Sequence, residues 1–220
     1  DETEEKLARL DWSEKERMDL VKTMAETGIP LRTMCLSGHR KYPIGSSDPD
    51  TCARGMEIME KAIRLAEDLG IRIIQLAGYD VYYEESTQDT VKRFGENLKN
   101  AVSMAARAGV VMGFETMETE FMNTVQKAMT YVEQINSPYL GVYPDMGNIT
   151  NAAVSYHTDV LKDIRRGAGH LVAVHLKETV PGVFREVPVG TGYVDFPAVI
   201  RETWELGVRK YVTEFWYTGN

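Results

Sequence analysis

The sequence predicts an α/β fold of the (β/α)8 TIM-barrel type, and three observations carry that prediction. A unit of amphipathic helix, glycine and short β-branched run recurs along the chain; no glycine-rich phosphate loop follows the first strand; and side chains able to bind a metal ion stand at the same end of successive strands.

The recurring unit is read at "MAETGIPLRTMCLS", "LAEDLGIRIIQLAG", "AARAGVVMGFET", "RRGAGHLVAVHLK" and "TWELGVRKYVTEFW", with Gly28, Gly70, Gly109, Gly169 and Gly207 where left-handed helix caps are expected. A further junction, "NSPYLGVYPD", uses Asn136 and Pro138 to stop the helix. Helix starts agree: Ser13 is placed as an N-cap with Glu16 three residues on, and Asp195 precedes a helix with a proline just inside it. Strands of four to seven apolar residues with little alternation, separated by helices, predict a parallel sheet covered on both faces. The count is six strands where a closed barrel needs eight, and "GTG" at 190–192 reads as a turn. Residues 1–220 are expected to form a single domain, incomplete at both ends.

Composition excludes several function classes. A chain of 220 residues, 43% hydrophobic and 26% charged, has the make-up of a globular domain. The formal charge of -8, with no long basic stretch, lacks the phosphate-neutralising surface that nucleic-acid binding requires. No apolar run approaches the roughly 20 residues of a membrane span, and Cys35 and Cys52 read as unpaired thiols in a reducing compartment, so cytoplasm is the expected location. The acidic start "DETEEKLARL" is unlike a signal peptide and lacks Met, as a trimmed chain would.

The chemistry is expected at the strand ends. Glu115 follows the run 110–114, Asp145 follows 140–144, His175 follows 172–174 and Glu214 follows 211–213. Each alone has an ordinary structural reading; a histidine in an apolar run is commonly a hydrogen-bonded core residue. Together, three buried carboxylates in one register would repel without a cation, and one imidazole with three carboxylates suits Zn, Mn, Co or a similar divalent ion. Lys177 should share the strand face of His175, and Asn148 follows Asp145 by three and is placed at the substrate or at the turn. "SGHRKYP" puts His39, Arg40 and Lys41 past a strand end, either in a solvated loop or against a phosphate or sugar. Tyr79, Tyr82 and Tyr83 read either as the wall of a polar pocket or as a mobile aromatic loop, and Met56, Met59 and Ile63 at helical spacing read as core.

The stretches "VYPDMGN", "VAVHLKET", "IIQLAGYDVYY" and "MCLSGHRKYP" resemble the L-ribulose-5-phosphate (L-xylulose-5-phosphate) 3-epimerases, a group also called hexulose-6-phosphate isomerases, within the xylose isomerase-like TIM barrel superfamily. The resemblance runs over almost the whole chain. It implies a (β/α)8 barrel whose strands three to eight are present here, with the first β-α-β segment and the last helix missing. It implies one divalent metal ion (Zn, or Mn or Co) held by Glu115, Asp145, His175 and Glu214, with Glu115 and Glu214 as the acid–base pair that inverts C3 of a ketopentose 5-phosphate. By their own placement near the predicted mouth, His39, Arg40, Asn148 and Lys177 are the expected substrate contacts. A small phosphorylated ketose is the expected partner, with no nucleic acid and no membrane, and the resemblance adds a homo-oligomer, a dimer at least, and a pentose or ascorbate pathway. The competing readings are an aldose–ketose isomerase of the hexulose-6-phosphate type, a metal-dependent endonuclease and a sugar-binding barrel without catalysis.

Overall fold

The structure, a computed structural model, describes residues 3–216. In chain order its elements are α1 (Glu4–Leu7), α2 (Glu14–Thr27), β1 (Thr33–Leu36), α3 (Pro49–Leu69), β2 (Ile73–Ala77), α4 (Gln88–Ala108), β3 (Val111–Glu115), α5 (Val125–Ile135), β4 (Leu140–Tyr143), α6 (Met146–Tyr156), α7 (Val160–Arg166), β5 (Val174–Leu176), α8 (Phe196–Glu205) and β6 (Tyr211–Thr213). These are the six expected strands, each followed or preceded by a helix. Two compact units are described: Asp1–Met112 with Ser137–Tyr139, and Gly113–Asn136 with Leu140–Asn220. Strand β3 begins in the first and ends in the second.

In the first unit β1 and β2 pair in parallel, Thr33 opposite Ile73 and Leu36 opposite Leu76. The amide of Val111 then donates to the Arg72 carbonyl at 2.9 Å, continuing the parallel ladder into β3. Helix α4 buries Phe94, Leu98, Ala101, Val102 and Ala105, one stripe at helical spacing, and α3 buries Ile58, Met59, Ala62, Ile63, Leu65, Ala66 and Leu69 in the same manner. The two helices pack on each other. Cutting the fully buried Leu98 back to Ala would cost about 2–5 kcal/mol, because the hole left behind adds to the lost burial. Of the Met56–Met59–Ile63 stripe, Met59 and Ile63 are core, with Met59 fully buried, and Met56 is half-buried.

In the second unit α5 packs on β4 and α7, α6 on β5, and α7 on α8. Strands β5 and β6 pair in parallel, with His175 opposite Val212, and Asp145 forms a parallel bridge with His175. The expected covering of both sheet faces holds for β2 to β4, whereas β1 and β6 are largely half-buried or exposed. Each of those two strands pairs along one edge only among the described residues.

Helix ends follow the sequence closely. Gly28, Gly70 and Gly109 are left-handed C-caps, and Asn136 takes the same conformation at φ 50° before Pro138. Ser13 and Glu16 form the full capping box, and Asp195 accepts the Ala198 amide at 3.0 Å. Gly169 and Gly207 differ slightly. They take positive φ one or two residues beyond the caps, which are Gly167 and Leu206. Neither Cys35 nor Cys52 forms a disulfide among the described residues, and no helix among them is long and apolar enough to cross a membrane.

Candidate metal centre

Glu115 is the last residue of β3, Asp145 lies two residues past β4, His175 sits within β5, and Glu214 follows β6 directly. Adjacent parallel strands put their ends in register, so four separate stretches of sequence converge: one ligand atom from each of the four side chains lies within 4.8 Å of the others. His175 Nδ1 is the hub, 3.0 Å from Glu115 Oε1, 2.9 Å from Glu214 Oε2 and 3.8 Å from Asp145 Oδ2. The backbone fixes this hub. His175 donates its amide to the Pro144 carbonyl at 3.0 Å, Glu214 donates its own to Leu176 at 3.1 Å, and the Tyr143 ring meets the imidazole edge-on at 4.8 Å.

The electrostatics are those of a site short of positive charge. Asp145 has no exposed surface, and burial, reinforced by Glu115 and Glu214, pushes its carboxyl up to about 7 against the opposing charges of Lys177 and His175. Burial by itself lowers the His175 imidazole. The hydrogen bonds of Glu115 and Glu214 and the charges of Glu115 and Asp145 outweigh it and hold His175 up at about 10. Burial raises Glu214, yet His175 and Lys177 bring it below the usual carboxylate range.

Three features fit a bound cation. One N–H on His175 cannot satisfy three carboxylates that surround it. Asp145 Oδ2 is buried and accepts no hydrogen bond, although Lys177 Nζ stands 3.3 Å away. The other Asp145 oxygen is committed, accepting the Asn148 amide at 2.7 Å as the N-cap of α6. The free oxygen is thereby aimed at the cluster by the helix start. One imidazole and three carboxylates compose a donor set that suits a borderline divalent ion.

The remaining expected site residues are placed unequally. Lys177 is buried on the same face as His175. Asn148 is buried behind Asp145: its amide group donates to the Thr116 carbonyl at 2.8 Å, and its Oδ1 has no hydrogen-bond partner among the described residues. His39 is also an expected substrate contact. It is buried in the first unit with Nε2 3.0 Å from the Gly55 carbonyl, and burial lowers its imidazole to about 4, the Gly55 contact opposing only in part. The cause lies in the helix: a side chain at Gly55 would strike the Tyr42 carbonyl, so only glycine lets the loop press His39 onto α3. Arg40 packs over aromatic rings, its guanidinium 5.1 Å from the centre of Tyr82 and 5.9 Å from that of Tyr79. Tyr79, Tyr82 and Tyr83 form successive edge-to-face pairs at 4.7 and 4.8 Å, a packed cluster. Arg93 and Asn97 of α4 hold this loop through the carbonyls of Gly45, Ser46 and Ile44.

Sequence reasoning missed two residues that organise the site. Thr116 accepts the Asp145 amide at 3.0 Å and so ties β3 to the turn after β4. Glu178, buried next to Lys177, accepts the amides of Thr179 at 3.0 Å, Gly190 at 2.9 Å and Val194 at 3.1 Å. These donors, with Gly192, hold its carboxyl low against the effect of burial. They pin both ends of loop 179–194, whose "TVPG" start turns at Gly182 and is fixed by Thr179 Oγ1 donating to Val183 O at 2.6 Å. The signal was present: "GTG" supplies the amides that an acidic residue after a strand end can gather.

Residues 1–215 match the family model described as "Xylose isomerase-like TIM barrel". Over 217 residues, 98% of this chain and 75% of the relative, the chain is 46% identical to L-ribulose-5-phosphate 3-epimerase UlaE of Escherichia coli O139:H28 (strain E24377A / ETEC) and, with the same figures, to that of Shigella flexneri. Among solved structures it is similar to D-psicose 3-epimerase in the presence of D-fructose, with TM-score 0.78 and 19% identity over 97% of this chain and 74% of that one. It is also similar to L-ribulose 3-epimerase, with TM-score 0.71 and 24% identity over 91% of this chain and 66% of that one. These two likenesses establish the fold; the expected TIM-barrel class is the one found.

Proposed function

Because the chain belongs to the L-ribulose-5-phosphate 3-epimerase family, on the xylose isomerase-like TIM barrel, we propose that it inverts C3 of a ketopentose 5-phosphate, interconverting L-ribulose 5-phosphate and L-xylulose 5-phosphate. The observation that carries this reading is the cluster itself: Glu115 and Glu214 both lie about one hydrogen bond from His175 Nδ1, 3.0 and 2.9 Å, with Asp145 beside them.

Inversion at C3 needs a base, an acid and a means of carrying negative charge on the C2 carbonyl oxygen. Glu115, Asp145, His175 and Glu214 would hold one divalent ion, with Zn, Mn or Co suited to the donor set. Such an ion, when bound, supplies Lewis-acid polarisation of the carbonyl. The two glutamates divide the proton work: one takes the C3 proton, the other returns a proton from the opposite face, and the roles exchange when the reaction runs backwards. Each carboxylate has two oxygens, so one can serve as ligand while the other faces the proton. Asp145 and His175 are ligands only. Asn148 and Thr116 position Asp145 from behind.

The test is proton exchange in heavy water. The purified protein, loaded with Zn or Mn, is expected to place deuterium at C3 of L-ribulose 5-phosphate as L-xylulose 5-phosphate appears. Exchange at C1 instead would turn the reading toward an aldose–ketose isomerase. Glu115→Gln and Glu214→Gln should each cost about 10²–10⁴-fold in turnover while retaining the fold by circular dichroism. Full activity after complete chelation would refute the metal's part.

A further inference from the structure

Lys177 lies two residues after His175 and points from the same strand face into the cluster. Only 5% of the residue is exposed, and Nζ is 3.3 Å from Asp145 Oδ2. Burying an ammonium group is costly unless it is paired and hydrogen-bonded. Here the pairing is with Asp145, and an ammonium carries three N–H groups, more than that one contact can use. The charge also acts on Glu214, on the other side of His175.

The backbone beneath this side chain is fixed. A Cβ on Gly147 would stand 3.0 Å from the Lys177 carbonyl and 3.2 Å from that of Glu178, so the strand end is pressed against the start of α6. Glu178, the next residue, is locked by the amides of loop 179–194. A lysine on so rigid a support has few positions for its tip, which is the requirement for a preorganised donor. Charge balance gives the same direction. With one glutamate protonated, the other two carboxylates balance one divalent ion, so the lysine charge is left to meet the negative charge that develops on the substrate.

Resting on the epimerase reading above, we infer that Lys177 is a further catalytic residue, whose ammonium hydrogen-bonds the ketose O2 and holds the negative charge that develops there when C3 loses its proton. As the C3–H bond breaks, the proton passes to one glutamate carboxylate and the bonding pair becomes C2=C3. The carbonyl pair moves onto O2. Lysine keeps all its protons throughout. The electrons return when the other glutamate, protonated at the outset, gives its proton to the opposite face of C3.

The experiment compares the wild type with Lys177→Met, which keeps the length and loses charge and donors, and with Lys177→Arg, which keeps the charge. Wild-type C3 exchange on L-ribulose 5-phosphate in heavy water is measured first; its absence would sink the epimerase reading itself. Given wild-type exchange, Lys177→Met should lose about 10²–10³-fold in turnover, the typical cost of one oxyanion donor, with Lys177→Arg recovering part of it. Bound metal per chain, by elemental analysis, should stay at the wild-type level. Affinity for a phosphorylated hydroxamate, which imitates the enediolate, should weaken at least about tenfold by calorimetry, roughly 1.4 kcal/mol. Turnover within about threefold of wild type would overturn the inference, since it corresponds to well under 1 kcal/mol. Loss of metal together with activity would also overturn it, reducing Lys177 to a positioning residue for Asp145. If Lys177→Met does not fold, the same comparison is made with Lys177→Gln.

Discussion

His39 and His175 are buried to nearly the same degree, 6% and 7% exposed, and their imidazoles are driven in opposite directions, to about 4 and to about 10. His39 meets a backbone carbonyl, which welcomes a neutral N–H but compensates a full charge poorly. His175 meets Glu115 and Glu214 with Asp145 behind them, and that much negative charge reverses the effect of burial. Burial alone therefore says nothing about whether a histidine is poised for chemistry. The partners decide it.

The comparison breaks most visibly by substitution. His175→Ala should lower metal affinity at least about 100-fold and abolish measurable turnover, whereas His39→Gln should leave turnover within about threefold, under 1 kcal/mol. Equal losses in the two variants would erase the distinction. A pH series sharpens it. The folded-state value of His39 lies below the unfolded value of about 6.5, so the unfolded chain binds the additional proton and stability is lost as pH falls from about 6.5 toward about 4. The shift corresponds to about 3 kcal/mol across that window, read as the difference between wild type and His39→Gln in urea unfolding at neutral and acid pH. A flat difference would show that His39 titrates normally. Next in size, Glu178→Gln should cost about 1–3 kcal/mol through donors left unpaired and speed proteolytic nicking within loop 179–194; unchanged nicking would mean that the loop is held otherwise. The smallest effect is expected for Arg40→Ala, about 0.5–1 kcal/mol from a cation–π contact, read in thermal unfolding. A rise in KM for the phosphorylated ketose alone would place Arg40 at the substrate.

Much of the candidate centre was legible in the sequence because a parallel strand end is a fixed register. Glu115, Asp145, His175 and Glu214 each follow a short apolar run at the same point of the repeat, and period-two alternation carried Lys177 to the face of His175. His39 was illegible for the opposite reason. Its burial depends on a notch at Gly55, 16 residues away on another element, and no local pattern reports a tertiary fit of that kind. Glu178 was missed because its partners lie 12 and 16 residues further on.

Asp145 carries one further consequence. A single planar carboxylate serves the start of α6 through Oδ1 and the cluster through Oδ2, so the helix and the centre cannot be tuned separately by evolution or by an engineer. Asp145→Asn can preserve the cap while removing the charge; Asp145→Glu keeps the charge but adds a methylene that pushes the carboxylate past the Asn148 amide. Redesign of ion preference at this position therefore has to begin by giving α6 a different cap. For the same reason the Asn148 amide should act as a built-in reporter: its hydrogen-exchange rate is expected to slow when the centre is loaded, which makes occupancy readable from the backbone without any catalytic assay.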